Sequence, residues 1–142
     1  MAVAMVGDEW KQFVLERART AKLATARANG APHVAPIWVA LDGDDVIFTT
    51  NEATLKGKAI LRDPRVALCF DDEEPPFAYV IVEGEASVSD DPAALLEWAT
   101  VIGGRYMGAD RAEAYGQRNG VPGELLVRVR PTRVIGQRNI SD

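Results

Sequence analysis

Between Ala21 and Thr50 the chain reads as three strand-like runs divided by turn signals only a few residues long. Ala21 to Ala26 is followed by Asn29-Gly30, Pro32 to Leu41 by Asp42-Gly43-Asp44, and Asp45 to Thr50 completes the set. Connections this short join antiparallel neighbours and leave no room for the crossover that a parallel sheet requires. Two further runs, Val66 to Phe70 and Ala78 to Val88, flank the acidic, proline-containing loop Asp71 to Pro76, and Gly84 marks a bulge or bend in the second. Glu124 to Val129 and Arg133 to Gly136 read as closing strands. Most strands precede the long helices, so the pattern predicts an α+β domain built on a six- to seven-stranded antiparallel Greek-key barrel with flanking helices.

The helices are marked by their ends. Asp8 to Arg19 carries Trp10, Phe13, Val14 and Ala18 on one side, with acids in its first turn and arginines in its last. Thr54 to Arg62 stops at Asp63-Pro64. Asp90-Asp91-Pro92 supplies a cap and a first-turn proline for Ala93 to Met107, whose end Gly103-Gly104 weakens. A short helix over Asp110 to Asn119 stops at Gly120 and Pro122.

With 142 residues the chain is expected to form one domain over residues 1–142, long enough to bury roughly 68–70% of its unfolded surface. A formal charge of −5 argues against nonspecific nucleic-acid or acidic-membrane binding, so any bound anion requires a local basic pocket. The longest stretch without charge, Ala28 to Leu41, is broken by Asn29-Gly30 and Pro32 and is too short to span a bilayer. Met1 to Gly7 lacks the basic flank and apolar run of a secretory signal, which predicts a cytoplasmic protein. One cysteine, Cys69, and one histidine, His33, exclude an internal disulfide and leave too few ligands for a zinc site of the usual kind. No repeat, Ser-His-Asp arrangement, Walker loop or dinucleotide fingerprint is present.

The most informative stretch runs from Val46 to Lys58, a strand that ends in Thr49 and Thr50 and leads into a helix whose first turns carry Lys56 and Lys58. Cations there oppose the helix dipole at a cost of about 0.3–1 kcal/mol each, unless an anion resides beside them. Two readings stay open: solvated lysines, or a phosphate site completed by threonine hydroxyls and free backbone amides. Residues two apart point to nearly opposite sides of a helix, so both lysines share one phosphate only if the helix begins irregularly near Gly57; Lys56 is the better candidate.

Lys22-Leu23-Ala24-Thr25-Ala26 with Asn29-Gly30 and Pro32, the strand Val46 to Thr50, Lys56 through Leu68, and Val82-Glu83-Gly84-Glu85-Ala86 together carry a resemblance over nearly the whole chain. It resembles the pyridoxamine 5′-phosphate oxidase-like, FMN-binding split β-barrel proteins, and within them the actinobacterial branch that uses the deazaflavin coenzyme F420. That resemblance implies a coenzyme phosphate on Thr49, Thr50, Thr54, Lys56 and Lys58. It implies a tricyclic ring bordered by the backbone of Pro36, Ile37 and Trp38, and Tyr79 near a dimer interface. Where many members carry an arginine two residues before the lysine, this chain has Thr54.

The expected function is therefore that of an F420-dependent oxidoreductase, transferring hydride between the reduced coenzyme and a planar conjugated small molecule. No catalytic side chain is assigned, because the coenzyme carries the difficult chemistry. FMN chemistry on the same fold and noncatalytic F420 binding or storage are the alternatives. The resemblance also implies a twofold homodimer, which covers strand edges and one wall of the pocket. Other residues carry competing readings. Trp38 on its strand is more often core or interface than a ring contact, and His33 beside its turn reads as a surface residue rather than a proton donor. Cys69 reads as a buried small hydrophobe, and the acids Asp71 to Glu74 as a solvated loop. Tyr106 and Tyr115 either pack helices or cover a pocket and donate a proton.

Overall fold

The turn signals divide the chain in a computed structural model that describes all 142 residues. In order, the elements are β1 (Val3–Ala4), α1 (Glu9–Leu15), β2 (Ala21–Ala26), β3 (Pro32–Ile37), β4 (Ala40–Asp42), β5 (Asp45–Asn51) and α2 (Leu55–Arg62). They continue with β6 (Arg65–Asp72), β7 (Ala78–Ser89), α3 (Pro92–Met107), a 3₁₀ turn over Ala109–Arg111, α4 (Ala112–Asn119) and β8 (Glu124–Arg138). All pairings are antiparallel, and the strand order is β3-β2-β6-β7-β8-β5-β4 with β1 added to β8.

The two end strands of that order, β3 and β4, are consecutive in the chain and separated only by Trp38 and Val39. The sheet must therefore curl until its edges meet, yet no hydrogen-bond ladder joins them; the barrel is split, and a two-residue link crosses the seam. The run Pro32 to Leu41, read as one strand, is for this reason two. Conversely, the closing strands meet in a single β8, because Pro131 lies opposite Gly84 at the register shift after Glu83, where a missing N–H is tolerated. With β1 added, the sheet has eight strands in place of the six or seven expected.

Alternation along these strands fills the barrel. Leu23, Phe48, Leu68, Phe70, Val80, Val82, Val127 and Val129 are all buried, and Trp10, Phe13 and Val14 of α1 close one end. Helix α1 stops at Leu15, short of Arg19. Arg19 nevertheless serves its end: the buried guanidinium donates from Nε to the Phe13 carbonyl at 3.4 Å, lies 4.1 Å from the Phe13 ring centroid and pairs with Glu16. Cys69 falls between the core residues Leu68 and Phe70, and alternation turns it to the outer face, where it is half-buried rather than in the core. Burial and the nearby Asp71 push its thiol pKa up, which disfavours the thiolate.

Helix α3 covers the outside of β5 and β8, with Leu95 packed on Ile47 and Leu126, and α4 packs on α3. Gly103 and Gly104 do not end α3, which runs on to Met107. They form its contact with α4: a Cβ on Gly103 would lie 2.5 Å from Tyr115 Cβ, and one on Gly104 3.0 Å from Ala112 Cβ. No helix is long and apolar enough to cross a membrane.

Candidate functional site

Where the seam opens, it borders a cleft of about 370 Å³. Pro36, Ile37 and Trp38 form the seam wall, Thr49, Thr50 and Asn51 come from the end of β5, and Thr54 and Lys56 come from the start of α2. Ala99 and Ile102 of α3, Asn119 of α4 and Glu124 at the start of β8 complete the lining. Seven of the nine sequence candidates thus meet in one place, although strand 32–37 lies at one end of the sheet order and strand 45–51 next to the other end.

Lys58 and Tyr79 are not among them. Helix α2 is regular from Leu55, so the two lysines diverge, and Lys58 lies in a separate depression with Arg27, Leu55 and Arg62. Tyr79 sits on the outer face of β7 beside Cys69, Phe77, Ile81 and Ile140. His33 is half-buried rather than a surface residue, its Nδ1 has no hydrogen-bond partner, and it does not line the cleft.

The hydroxyls of the cleft can be accounted for atom by atom. Thr54 caps α2: its Oγ1 accepts the Gly57 N–H at 3.0 Å and donates to the Asn51 carbonyl at 2.8 Å. Thr50 Oγ1 lies 2.9 Å from Thr54 Oγ1. Because the Thr54 proton is directed to Asn51, the Thr50 hydroxyl must be the donor in this pair, and its oxygen presents lone pairs to the cleft. The Gly57 and Lys58 amides are satisfied by Thr54, which leaves those of Leu55 and Lys56 as the orphan donors of the helix start. The donors left without a protein partner at the helix start are therefore the two backbone amides, with the Lys56 ammonium and the Thr49 hydroxyl in the same lining. Thr54, expected to touch the phosphate, instead builds the turn that holds these donors.

Sequence reasoning missed Glu124. Its register opposite Asn51 brings it into the cleft. Burial pushes its carboxyl pKa up, against the Asn51 side chain and the charge of Lys56, which favour the ionised form. Lys56 and Glu124 are the two ionisable side chains in the lining, so the cleft carries no net charge.

Trp38 stands on an aromatic support. Its ring is stacked on Tyr106 at 5.0 Å and 3°, and meets Tyr115 at 6.0 Å and 52°. The Tyr106 hydroxyl is fully engaged: it donates to the Arg19 carbonyl at 2.6 Å and accepts the Val39 N–H at 3.1 Å. Tyr106 is thus a pin for the seam, not a proton donor. Tyr106→Phe leaves the Val39 amide, on a residue with 0% exposure, without a partner. The expected cost is about 1–3 kcal/mol in urea unfolding, with ligand affinity changed far less than stability. A variant of wild-type stability that loses turnover would instead identify Tyr106 as a proton donor.

An open antiparallel barrel whose seam forms a cleft against a helix start is the architecture of the split β-barrel proteins. The chain belongs to the pyridoxamine 5′-phosphate oxidase family, whose sequence profile matches residues 6–138. Among solved structures, the conserved hypothetical protein Rv2991 from Mycobacterium tuberculosis is similar over 92% of this chain and 82% of its own, at 27% identity and a TM-score of 0.80. An F420 reductase is similar over 91% of this chain and 98% of its own, at 27% identity and a TM-score of 0.67. A FAD-binding protein from Mesorhizobium loti shares the fold at 16% identity and a TM-score of 0.72, over 96% of this chain and 97% of its own. No match was found among proteins of curated function.

Proposed function

We propose that this chain is an F420-dependent oxidoreductase, binding the coenzyme in the seam cleft and passing hydride between its reduced form and a planar conjugated small molecule. The observation that carries this reading is the meeting of Lys56 and the α2 start with the Pro36–Trp38 wall in one cleft. The donor set fits a phosphate ester: one ammonium, two orphan amides and one hydroxyl converge where the helix dipole favours an anion. The similarity to an F420 reductase over nearly the whole chain supports the choice of coenzyme.

When bound, F420 supplies a hydride from the central ring of its deazaflavin. In this reading Lys56 and the Leu55 and Lys56 amides hold the phosphate, and the Pro36–Trp38 backbone borders the ring. Ala99 and Ile102 exclude water from the cleft, and the Tyr106 pin keeps Trp38 in place. With Tyr106 occupied and Glu124 beside the phosphate anchor, the substrate proton comes from solvent.

The proposal includes a twofold homodimer. Val34 of β3 is 66% exposed on the outer face of the sheet, and Tyr79 lies on the outer face of β7 away from the cleft of its own chain, so in this reading it meets a ligand in the cleft of a second copy. Protein made in a host without deazaflavin is expected to be colourless, to bind added F420, to scatter light at micromolar concentration as twice 15.4 kDa, and to turn over reduced F420 with a panel of enones and quinones. Yellow protein carrying flavin would support FMN chemistry instead. F420 binding without turnover would indicate storage.

A further inference from the structure

We infer that Glu124 makes the phosphate end of the cleft selective for a singly charged phosphate diester over a doubly charged monoester. The inference rests on the seam cleft being the coenzyme site, and adds a residue that sets which coenzyme it accepts.

Charge carries it. A phosphate seated at the α2 start meets one ammonium, Lys56, and one carboxylate, Glu124, in the same lining. The position two residues before Lys56 is Thr54, whose hydroxyl is consumed by the helix cap, so no second cation answers the second charge of a monoester. Thr50 cannot compensate, because its proton is directed to Thr54 and its lone pairs face an incoming oxyanion. Lys58 is carried away by the helical turn into the depression with Arg27 and Arg62. One cation, balanced by one acid, suits an ester with a single charge.

This separates two otherwise similar coenzymes by elementary chemistry. FMN ends in a phosphate monoester, which carries close to two charges above its second pKa of about 6. The phosphate of F420 is a diester, linking the ring-bearing chain to the tail, and carries one. Repulsion by Glu124 is linear in ligand charge, so the energy it costs the monoester is twice that of the diester. Neutralising Glu124 should then raise monoester affinity by the square of the factor gained by the diester, a relation independent of the local dielectric.

The test is calorimetric titration of the dimer at roughly pH 8, where the monoester is fully charged. Wild type, Glu124→Gln and Glu124→Asp are each titrated with F420, FMN and riboflavin, the last as a ring without phosphate. Wild type is expected to bind F420 more tightly than FMN. Glu124→Gln is expected to gain about threefold for F420 and about tenfold for FMN with riboflavin unchanged, while Glu124→Asp, which keeps the charge, preserves the wild-type preference. Equal gains for the two phosphates, no gain in either, or an aspartate variant that behaves like glutamine would overturn the inference while F420 binding by wild type left the coenzyme reading intact. Failure of wild type to bind F420 at all would remove both.

Discussion

Lys56→Ala is expected to weaken F420 binding by about 10–100-fold while leaving the affinity for a deazaflavin lacking the phosphate unchanged. A hydrogen bond to a charged group contributes about 1.5–3 kcal/mol, and each 1.4 kcal/mol is a factor of ten in affinity. The variant has a second signature of opposite sign. Lys56 sits in the first turn of α2, where a cation opposes the dipole by about 0.3–1 kcal/mol, and alanine is the better helix former. Thermal stability should therefore hold or rise as binding falls. Glu124 loses the cation that favours its ionised form, so burial pushes its carboxyl pKa further up and its repulsion of a bound phosphate eases, which offsets part of the loss. An unchanged F420 affinity would sink the placement of the phosphate at α2.

Gly103→Ala should destabilise the protein, although helix propensity alone predicts the reverse. Replacing a mid-helix glycine by alanine gains about 0.8–1 kcal/mol in an exposed helix. Here the added methyl would meet Tyr115 Cβ at 2.5 Å, and a Cβ carbon cannot rotate away. Overpacking of this kind costs about 1–3 kcal/mol, and moving α4 outward also separates Gly116 from Thr100 and Tyr115 from Trp38. Set against the propensity gain, the net loss is up to about 2 kcal/mol, a drop in Tm of up to roughly 8 °C. A shift in tryptophan fluorescence should accompany it, since Trp38 leans on Tyr115. A raised Tm would show that the two helices are not packed through their glycines.

Much of the fold is legible in the residues because its signals are local. Asn29-Gly30 and Asp42-Gly43-Asp44 make their turns, Asp91 accepts the Ala94 N–H at 3.0 Å as a cap, and Gly84 lies at the register shift in β7. Each depends on backbone preferences or side-chain oxygens within a few residues. The candidate site was legible in part for the same reason: Thr49, Thr50, Thr54 and Lys56 lie in eight consecutive positions, and the divergence of Lys58 follows from helical geometry.

What the chain by itself determined is where strands and helices begin, which faces are apolar, and that a cation stands at the start of α2. Only the tertiary structure decided that the run Pro32 to Leu41 breaks at Trp38, because the break exists where two sheet edges meet. It alone joined Glu124 to Lys56 through the pairing of β5 with β8, and Tyr106 to Val39 and Arg19 through the docking of α3. Those contacts link residues tens of positions apart, and no local preference encodes them; they arise when burial of the barrel interior closes the sheet and fixes the register of every strand at once.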